Sequence, residues 1–114
     1  MDVQSAVDKR EAIEDAALAL FVEQGFHGTT VPEIARRAGV GTGTLYLYHA
    51  SKDELLNALL LRWCRTLAVG LETAAHGAST PRALFAGFWK AAVEFSETYP
   101  EAWTFMMQFH DSPY

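Results

Sequence analysis

The chain has little of several features that define other classes of protein. It holds one cysteine among 114 residues, so no internal disulfide can form. No apolar run approaches the roughly 20 residues of a membrane span, because Arg62 and Arg65 interrupt the region after Leu55. The opening MDVQSAVDKR lacks the apolar stretch of a secretory signal. These absences favour a cytoplasmic protein, and we expect Cys64 to be a small buried apolar residue.

Basic residues are also scarce. Nine Lys and Arg oppose 14 Asp and Glu for a net charge of −5, which argues against a nucleic-acid partner. The charge is uneven, however. Residues 1–29 carry six acids and two bases, and residues 53–114 carry seven acids and four bases, whereas residues 30–52 carry three bases and one acid. The net positive segment is the one that contains the motif described below.

Catalytic and metal-binding patterns are missing as well. The four histidines have no metal-ligand spacing with one another or with Cys64, and no set of nucleophile, base and acid is recognisable. Gly39, Gly41 and Gly43 alternate as in a phosphate-binding loop, but they follow a helical pattern rather than a strand. We therefore expect no enzyme activity, no metal and no cofactor.

Helical periodicity runs through the chain, and no strand pattern interrupts it. Thr30 to Glu33 and Ser51 to Glu54 read as capping boxes, and Thr80 followed by Pro81 reads as a helix start. Six helices are predicted, over about residues 5–24, 30–38, 42–49, 51–75 and 80–98, with a short one after Pro100 that exits near His110. The fold class is all-α.

Apolar spacing predicts which side of each helix is buried. The predicted inward residues are Ile13, Ala16, Ala17, Leu20 and Phe21 in the first helix; Ile34, Ala35 and Ala38 in the second; Leu45 in the third; Leu55, Leu56, Leu59, Leu60, Leu61, Trp63, Leu67, Val69 and Leu71 in the fourth; and Leu84, Phe85, Phe88, Trp89, Ala92 and Phe95 in the fifth.

Residues 29–52, TTVPEIARRAGVGTGTLYLYHASK, predict two short helices joined by a tight turn. Small residues from position 41 to position 44 let the start of the second helix approach a phosphate backbone. Tyr46 and Tyr48 place hydroxyls within reach of phosphate, while Leu47 offers an apolar contact to a thymine methyl. Lys52 lies at a helix N-terminus, where its ammonium and the helix dipole favour a phosphate. The segment suits insertion into a DNA major groove.

This stretch, preceded by ALALFVEQGF and followed by DEL, resembles the N-terminal DNA-binding domain of TetR-type transcriptional regulators over about residues 8–60. The resemblance implies a three-helix DNA-binding domain over residues 1–50. Residues 51–114 would then form a linking helix and part of an effector-binding and dimerisation domain. The candidate DNA-binding residues are Thr30, Arg36, Arg37, Thr42, Gly43, Thr44, Tyr46, Leu47, Tyr48, His49 and Lys52, although Arg36 and Arg37 fit a solvated helix face equally well.

Three positions depart from the family's pattern. Gly41 stands where Ser is frequent, so the third helix loses a side-chain cap. Pro32 stands where some members place a base-reading polar side chain. His49 stands where an aromatic or aliphatic residue is usual, so it needs a buried partner or turns outward towards phosphate. Because the third helix has no Arg, Asn or Gln, we expect specificity to come from methyl contacts, Thr hydroxyls, water and DNA shape.

The resemblance implies a ligand-responsive repressor that binds an operator as a homodimer. The family's dimer contact lies in C-terminal helices beyond this length. A small apolar effector would bind among aromatic and methionine side chains of the second half, most of which are explained more simply as core. These candidates are Trp63, Phe85, Phe88, Trp89, Trp103, Met106 and Phe109. The alternative is a helical protein-interaction or small-molecule-binding module without DNA activity.

Overall fold

The structure, a computed structural model, describes residues 3–110 of the chain and the side chains of residues 6–108. This part is helical throughout, without strands, which confirms the all-α prediction. The helices are α1 (Val3–Gln24), α2 (Val31–Ala38), α3 (Thr42–Tyr48), α4 (Lys52–His76), α5 (Pro81–Thr98) and α6 (Pro100–His110). His110 still belongs to α6, and the rest of the predicted exit lies outside the described residues.

The chain divides into two compact units within α4. The first unit ends at Leu59 and the second begins at Leu60, so the first extends past the boundary predicted at residue 50. All three tryptophans, at positions 63, 89 and 103, belong to the second unit. Among residues 3–110, no helix combines the length and the apolar character needed to cross a bilayer.

The core of the first unit comes from the inward faces that the periodicity predicts. Ile13, Phe21 and Ile34 are fully buried, and Leu45 of α3 is buried with them. Phe26 folds back after Gly25, and its ring centroid lies 5.5 Å from that of Phe21. Because α1, α2 and α3 share this core, it fixes how the two short helices cross.

The second unit holds an aromatic cluster at Trp63, Phe95, Tyr99 and Trp103. Ring centroids lie 5.0 Å apart for Trp63 and Tyr99, and 5.4 Å apart for Phe95 and Tyr99. Phe95 and Trp103 are in edge contact at 6.3 Å. The Trp63 side chain is buried, in agreement with the periodicity of α4.

Several apolar residues that the periodicity assigned to the core are exposed. Phe85 is 72% exposed and Trp89 is 68% exposed on α5. The same correction applies to Leu61, Val69, Phe88 and Cys64, which are also exposed. Periodicity shows that a helix has an apolar face, whereas burial also requires another element against that face.

Candidate DNA-binding surface

The N-terminus of α2 is fixed by a capping box. Thr30 has extended backbone angles, and its hydroxyl accepts the N–H of Glu33. The Glu33 carboxylate accepts the N–H and the hydroxyl hydrogen of Thr30 at 3.2 and 3.0 Å. Pro32 lies in the first turn, where its missing N–H costs nothing. The predicted capping box is confirmed.

The turn between α2 and α3 is built on Gly39, whose φ is +77°. This left-handed conformation favours glycine, because a side chain would clash with the following carbonyl. Gly39 and Val40 both donate N–H groups to the Ala35 carbonyl. The arrangement ends α2 abruptly and begins α3 at Thr42.

The α3 helix presents an outer face of small, aromatic and aliphatic side chains. Leu45 is buried, while Leu47 is 79% exposed and Tyr46 is 48% exposed. Thr42 and Gly43 are exposed at the start of the helix. The N-cap, Gly41, provides no side-chain hydrogen bond. The predicted outer surface of the second motif helix is therefore available to a partner.

Thr44 and Tyr48 are half-buried beside that outer face. The guanidinium carbon of Arg10 lies 5.7 Å from the centroid of the Tyr48 ring. Arg10 is exposed and comes from α1. Sequence reasoning missed this residue, because its place beside α3 depends on the packing of α1.

The charged groups of α2 differ in how strongly they are engaged. Arg37 donates to the Glu23 carboxylate of α1 at 3.0 Å, whereas Arg36 is exposed. Hydrogen bonds from the Thr30 side chain, the Gln24 side chain and the Thr30 backbone hold the pKa of the Glu33 carboxyl below its ordinary value of 4.5. The negative charge of Glu33 thus lies beside Thr30, which the resemblance places among the candidate DNA-binding residues.

Lys52 points into the loop between α1 and α2. Its ammonium donates to the carbonyl oxygens of Phe26 and Thr29 at 2.7 and 2.9 Å, and it lies 4.3 Å from the centroid of the Phe26 ring. Two of its three donors are therefore used within the protein. This geometry gives Lys52 a structural role, and its contact with phosphate stays a prediction.

His49 is not on the outer face. Its side chain is 3% exposed, and Nδ1 lies 2.9 Å from Oε2 of Glu54. The ring is enclosed at the C-terminal end of α3 and uses a protein carboxylate as its partner, so contact of His49 with DNA stays a prediction that this placement does not favour. Ser51 caps α4 by accepting the Glu54 N–H at 3.0 Å.

Sequence reasoning treated Thr29 only as part of a loop, yet its side chain is fully buried. The hydroxyl donates to the carbonyl oxygens of Gly25 and Leu20 at 2.8 and 3.2 Å. It thus joins the end of α1 to the residue before the Thr30 cap. The sequence signal that could have identified Thr29 is the pair of hydroxylated residues at 29 and 30. The hydroxyl of Thr29 faces inward, and that of Thr30 caps α2.

The second unit contains a cleft of about 370 Å³ between α4 and α5. Its lining includes Thr66 and Thr73 from α4, Glu94 and Phe95 from α5, and Tyr99 directly after α5. The effector residues predicted from the sequence differ in burial. Trp63 is buried, Trp103 and Met106 are half-buried, and Phe85, Phe88 and Trp89 are exposed. The side chain of Phe109 lies outside the described residues.

Two short helices packed on α1, with a glycine turn and an exposed second helix, form a helix-turn-helix, a motif whose second helix enters the major groove in DNA-binding proteins. Residues 13–59 match the family model described as bacterial regulatory proteins, tetR family. The match takes in the helix-turn-helix and the start of α4, so this part of the chain is similar to the tetR family of bacterial regulatory proteins.

Three relatives illustrate the similarity. The transcriptional regulator HbdR of Aromatoleum sp. is 44% identical over 55 residues, which cover 48% of this chain and 24% of HbdR. RutR of Escherichia coli is 36% identical over 98 residues, which cover 82% of this chain and 44% of RutR. A solved structure from Shewanella sp. PV-4, titled as a tetR family transcription regulator, matches with a TM-score of 0.82 and 36% identity, covering 92% of this chain and 56% of that one. This chain thus spans about half the length of RutR and of the Shewanella protein.

Proposed function

We propose that the chain is a DNA-binding transcriptional regulator that places α3 in the major groove of an operator. The observation that carries this proposal is Leu47, an aliphatic side chain that is 79% exposed on a seven-residue helix beside a capped α2. Such a helix can enter the groove with its apolar group against a thymine methyl. Its action is repression, by occupying the operator.

The proposed roles follow the exposure of each side chain. Thr42, Gly43, Thr44 and Leu47 face base edges, and Tyr46 reaches phosphate together with Tyr48. Arg36 of α2 and Arg10 of α1, which lies beside Tyr48, supply exposed positive charge. Thr30 contributes mainly as a cap because its hydroxyl and N–H both bond to Glu33, and Arg37 contributes less because it pairs with Glu23.

Recognition of a full operator requires a second copy of the chain, because one recognition helix reads only a half-site. We infer a homodimer as the DNA-bound form, and a cytoplasmic location follows from a DNA target. A monomer would bind weakly and with strong dependence on salt, since phosphate neutralisation dominates such binding. Light scattering measures the oligomeric state, and a salt-insensitive, nanomolar affinity of a monomer would contradict this part of the proposal.

The effector site is proposed at the cleft between α4 and α5. Its volume of about 370 Å³ lies within the roughly 300–1,000 Å³ of small-molecule sites. Phe95 and Tyr99 provide apolar contact, and they adjoin the buried Trp63. A small, largely apolar molecule therefore fits the cleft. The cleft is a better candidate effector site than the seven residues predicted from the sequence.

Selection of bound duplexes from a random DNA library tests the central proposal. Enrichment of a half-site that contains thymines, and its loss in a Leu47→Ala, Thr44→Ala double variant, is the expected result. Unchanged sequence preference in that variant would show that α3 does not read bases through these groups.

The second candidate is a helical protein-interaction module, or a small-molecule-binding one, without DNA activity. The exposed Phe85 and Trp89 favour the former, since aromatic residues are enriched at protein interfaces. A gel shift of random duplex at low salt separates the candidates, because a module of either kind would leave the duplex unshifted.

A further inference from the structure

Two side chains of the first turn of α4 reach back to opposite ends of the helix-turn-helix. Lys52 holds the loop before α2 through the carbonyl oxygens of Phe26 and Thr29. Glu54 holds the end of α3 through His49, five residues earlier in the chain. These contacts lie within the first unit, which ends at Leu59.

The contact between His49 and Glu54 has a defined direction. A carboxylate can only accept hydrogen bonds, so Nδ1 of His49 carries the hydrogen and donates to Oε2 at 2.9 Å. The other ring nitrogen, Nε2, is buried and has no hydrogen-bond partner among the side chains and backbone that the structure describes. Glu54 is therefore the polar group that orients this ring.

The α3 helix depends on its ends because it is short. Seven residues are too few for a stable isolated helix, and the N-cap Gly41 gives no side-chain bond. Leu45 is its one buried residue. His49 closes the other end as the C-cap, with its N–H on the Leu45 carbonyl at 3.1 Å.

We propose that Glu54 is a positioning residue for DNA recognition, which fixes the C-terminal end of α3 through His49. Lys52 fixes the start of α2 in the same way, so one turn of α4 sets the orientation of the whole motif. This inference rests on the proposed function, DNA binding through α3. It assigns the role to a carboxylate that need not touch DNA.

The sign of the charge effect makes the proposal testable. Replacing Glu54 by Ala removes a negative charge, which by electrostatics alone strengthens binding to DNA. A positioning role predicts the opposite, a loss of about five- to tenfold in affinity for a duplex selected with the unaltered chain. Glu54→Gln keeps an acceptor and should stay within about twofold. Glu97→Ala, which removes an exposed acid from α5, is the matched control and should not weaken binding.

The coupling to His49 is measured in the same assay. In a His49→Phe background the ring needs no acceptor, so Glu54→Ala should cause no further loss of affinity. Should Glu54→Ala fail to fold, as judged by circular dichroism, Glu54→Asp tests the same contact with a shorter side chain. Affinity that is unchanged or increased in the folded Ala or Asp variant would overturn the proposal.

Hydrogen exchange gives a readout that does not depend on DNA. Glu54→Ala should speed exchange of the Tyr48 and His49 amides and leave the Ile34 amide of α2 unchanged. If the unaltered chain binds no duplex, the proposed function fails and this measurement decides the positioning role alone. Equal exchange rates in the two proteins would then reject that role.

Discussion

Leu47 is the residue whose placement is hardest to explain by stability alone. It is 79% exposed, whereas Leu45, two positions earlier, supplies the buried contact of α3. Removal of an exposed side chain has little effect on folding. Under the proposed function its role is contact with DNA, and the half-exposed Tyr46 extends the same surface.

Leu47→Ala should reduce affinity for the selected duplex by about tenfold, because loss of the match at one base pair typically costs about 1–3 kcal/mol. The free energy of unfolding should change by less than about 0.5 kcal/mol. Fluorescence anisotropy of labelled duplex and urea unfolding provide the two measurements. Leu61→Ala, on an exposed leucine of α4, is the control and should leave DNA affinity unchanged.

Substitution of Gly43 should change protein stability and DNA recognition in opposite directions. A Cβ at this position meets no atom within 4 Å, so Gly43→Ala should raise the free energy of unfolding by about 0.5–1 kcal/mol through helix propensity. The added methyl would stand on the face that approaches DNA, so the same change should weaken duplex binding.

Gly70→Ala in α4 is the matched control for Gly43→Ala, since its Cβ also meets open space. It should stabilise the protein without altering DNA affinity. Equal DNA affinity in both variants would mean that the start of α3 does not approach the duplex closely.

His49 shows where sequence reasoning ends at the scale of one residue. Its position at the end of α3 was predictable, and so was its need for a partner if buried. That Glu54 is the partner follows from the path of the chain between α3 and α4, which local sequence signals do not specify. Lys52 repeats this lesson, because its acceptors at Phe26 and Thr29 are distant in sequence.

At the scale of elements, the capping box of α2 makes stability depend on pH. Hydrogen bonds from Thr30 and then Gln24 lower the pKa of Glu33 in the folded protein. The stabilisation is therefore fully present above about pH 4.5, the ordinary value, and is lost as the pH falls through the lowered pKa. The box thus strengthens α2 at neutral pH and weakens in acid.

The expected result is a stability difference between the unaltered chain and Glu33→Gln that shrinks as the pH falls from 5 to about 3. Glutamine is neutral throughout, so it provides the pH-independent reference. Urea unfolding at each pH measures the difference. A difference that stays constant over this range would mean that the carboxylate does not strengthen the cap.

Lys52→Met tests whether Lys52 supports DNA binding by holding the loop before α2 or by contacting a phosphate. Loss of a phosphate contact lowers the slope of log affinity against log salt by about one. Because two donors of the ammonium are on carbonyl oxygens, we expect weaker binding with an unchanged slope. Lys90→Met, an exposed lysine of α5, controls for net charge, and a reduced slope for Lys52→Met would favour the phosphate contact.

Helix starts were predictable because their signals are local. Thr30 and Thr80 cap α2 and α5 as their sequences indicate, with proline in the first turn of each. The apolar face of α5 was also predictable from the sequence, but the exposure of that face to solvent was not. Burial of Phe85 and Trp89 would need a second element, and the spacing of residues within one helix contains no information about that element.

At the scale of the molecule, the distribution of charge matters more than its total. The chain carries −5 overall, yet the exposed Arg10 of α1 lies beside Tyr48 of α3, and residues 30–52 carry three bases against one acid. The acidic total therefore does not exclude DNA. The folded arrangement adds a basic residue from α1 that lies outside the positive segment of the sequence.

Because the chain divides into two units within α4, its tryptophan fluorescence can report on the second unit alone. All three tryptophans belong to the second unit, and Trp63 is buried against Phe95 and Tyr99 beside the cleft. A molecule that enters the cleft should shift or quench the indole emission, whereas Trp63→Phe should remove most of that response. Titration of candidate ligands followed by tryptophan fluorescence measures this, and a response that persists in Trp63→Phe would place the ligand elsewhere. Since the first unit contains no tryptophan, the emission spectrum reports on the second half of the chain without any added label.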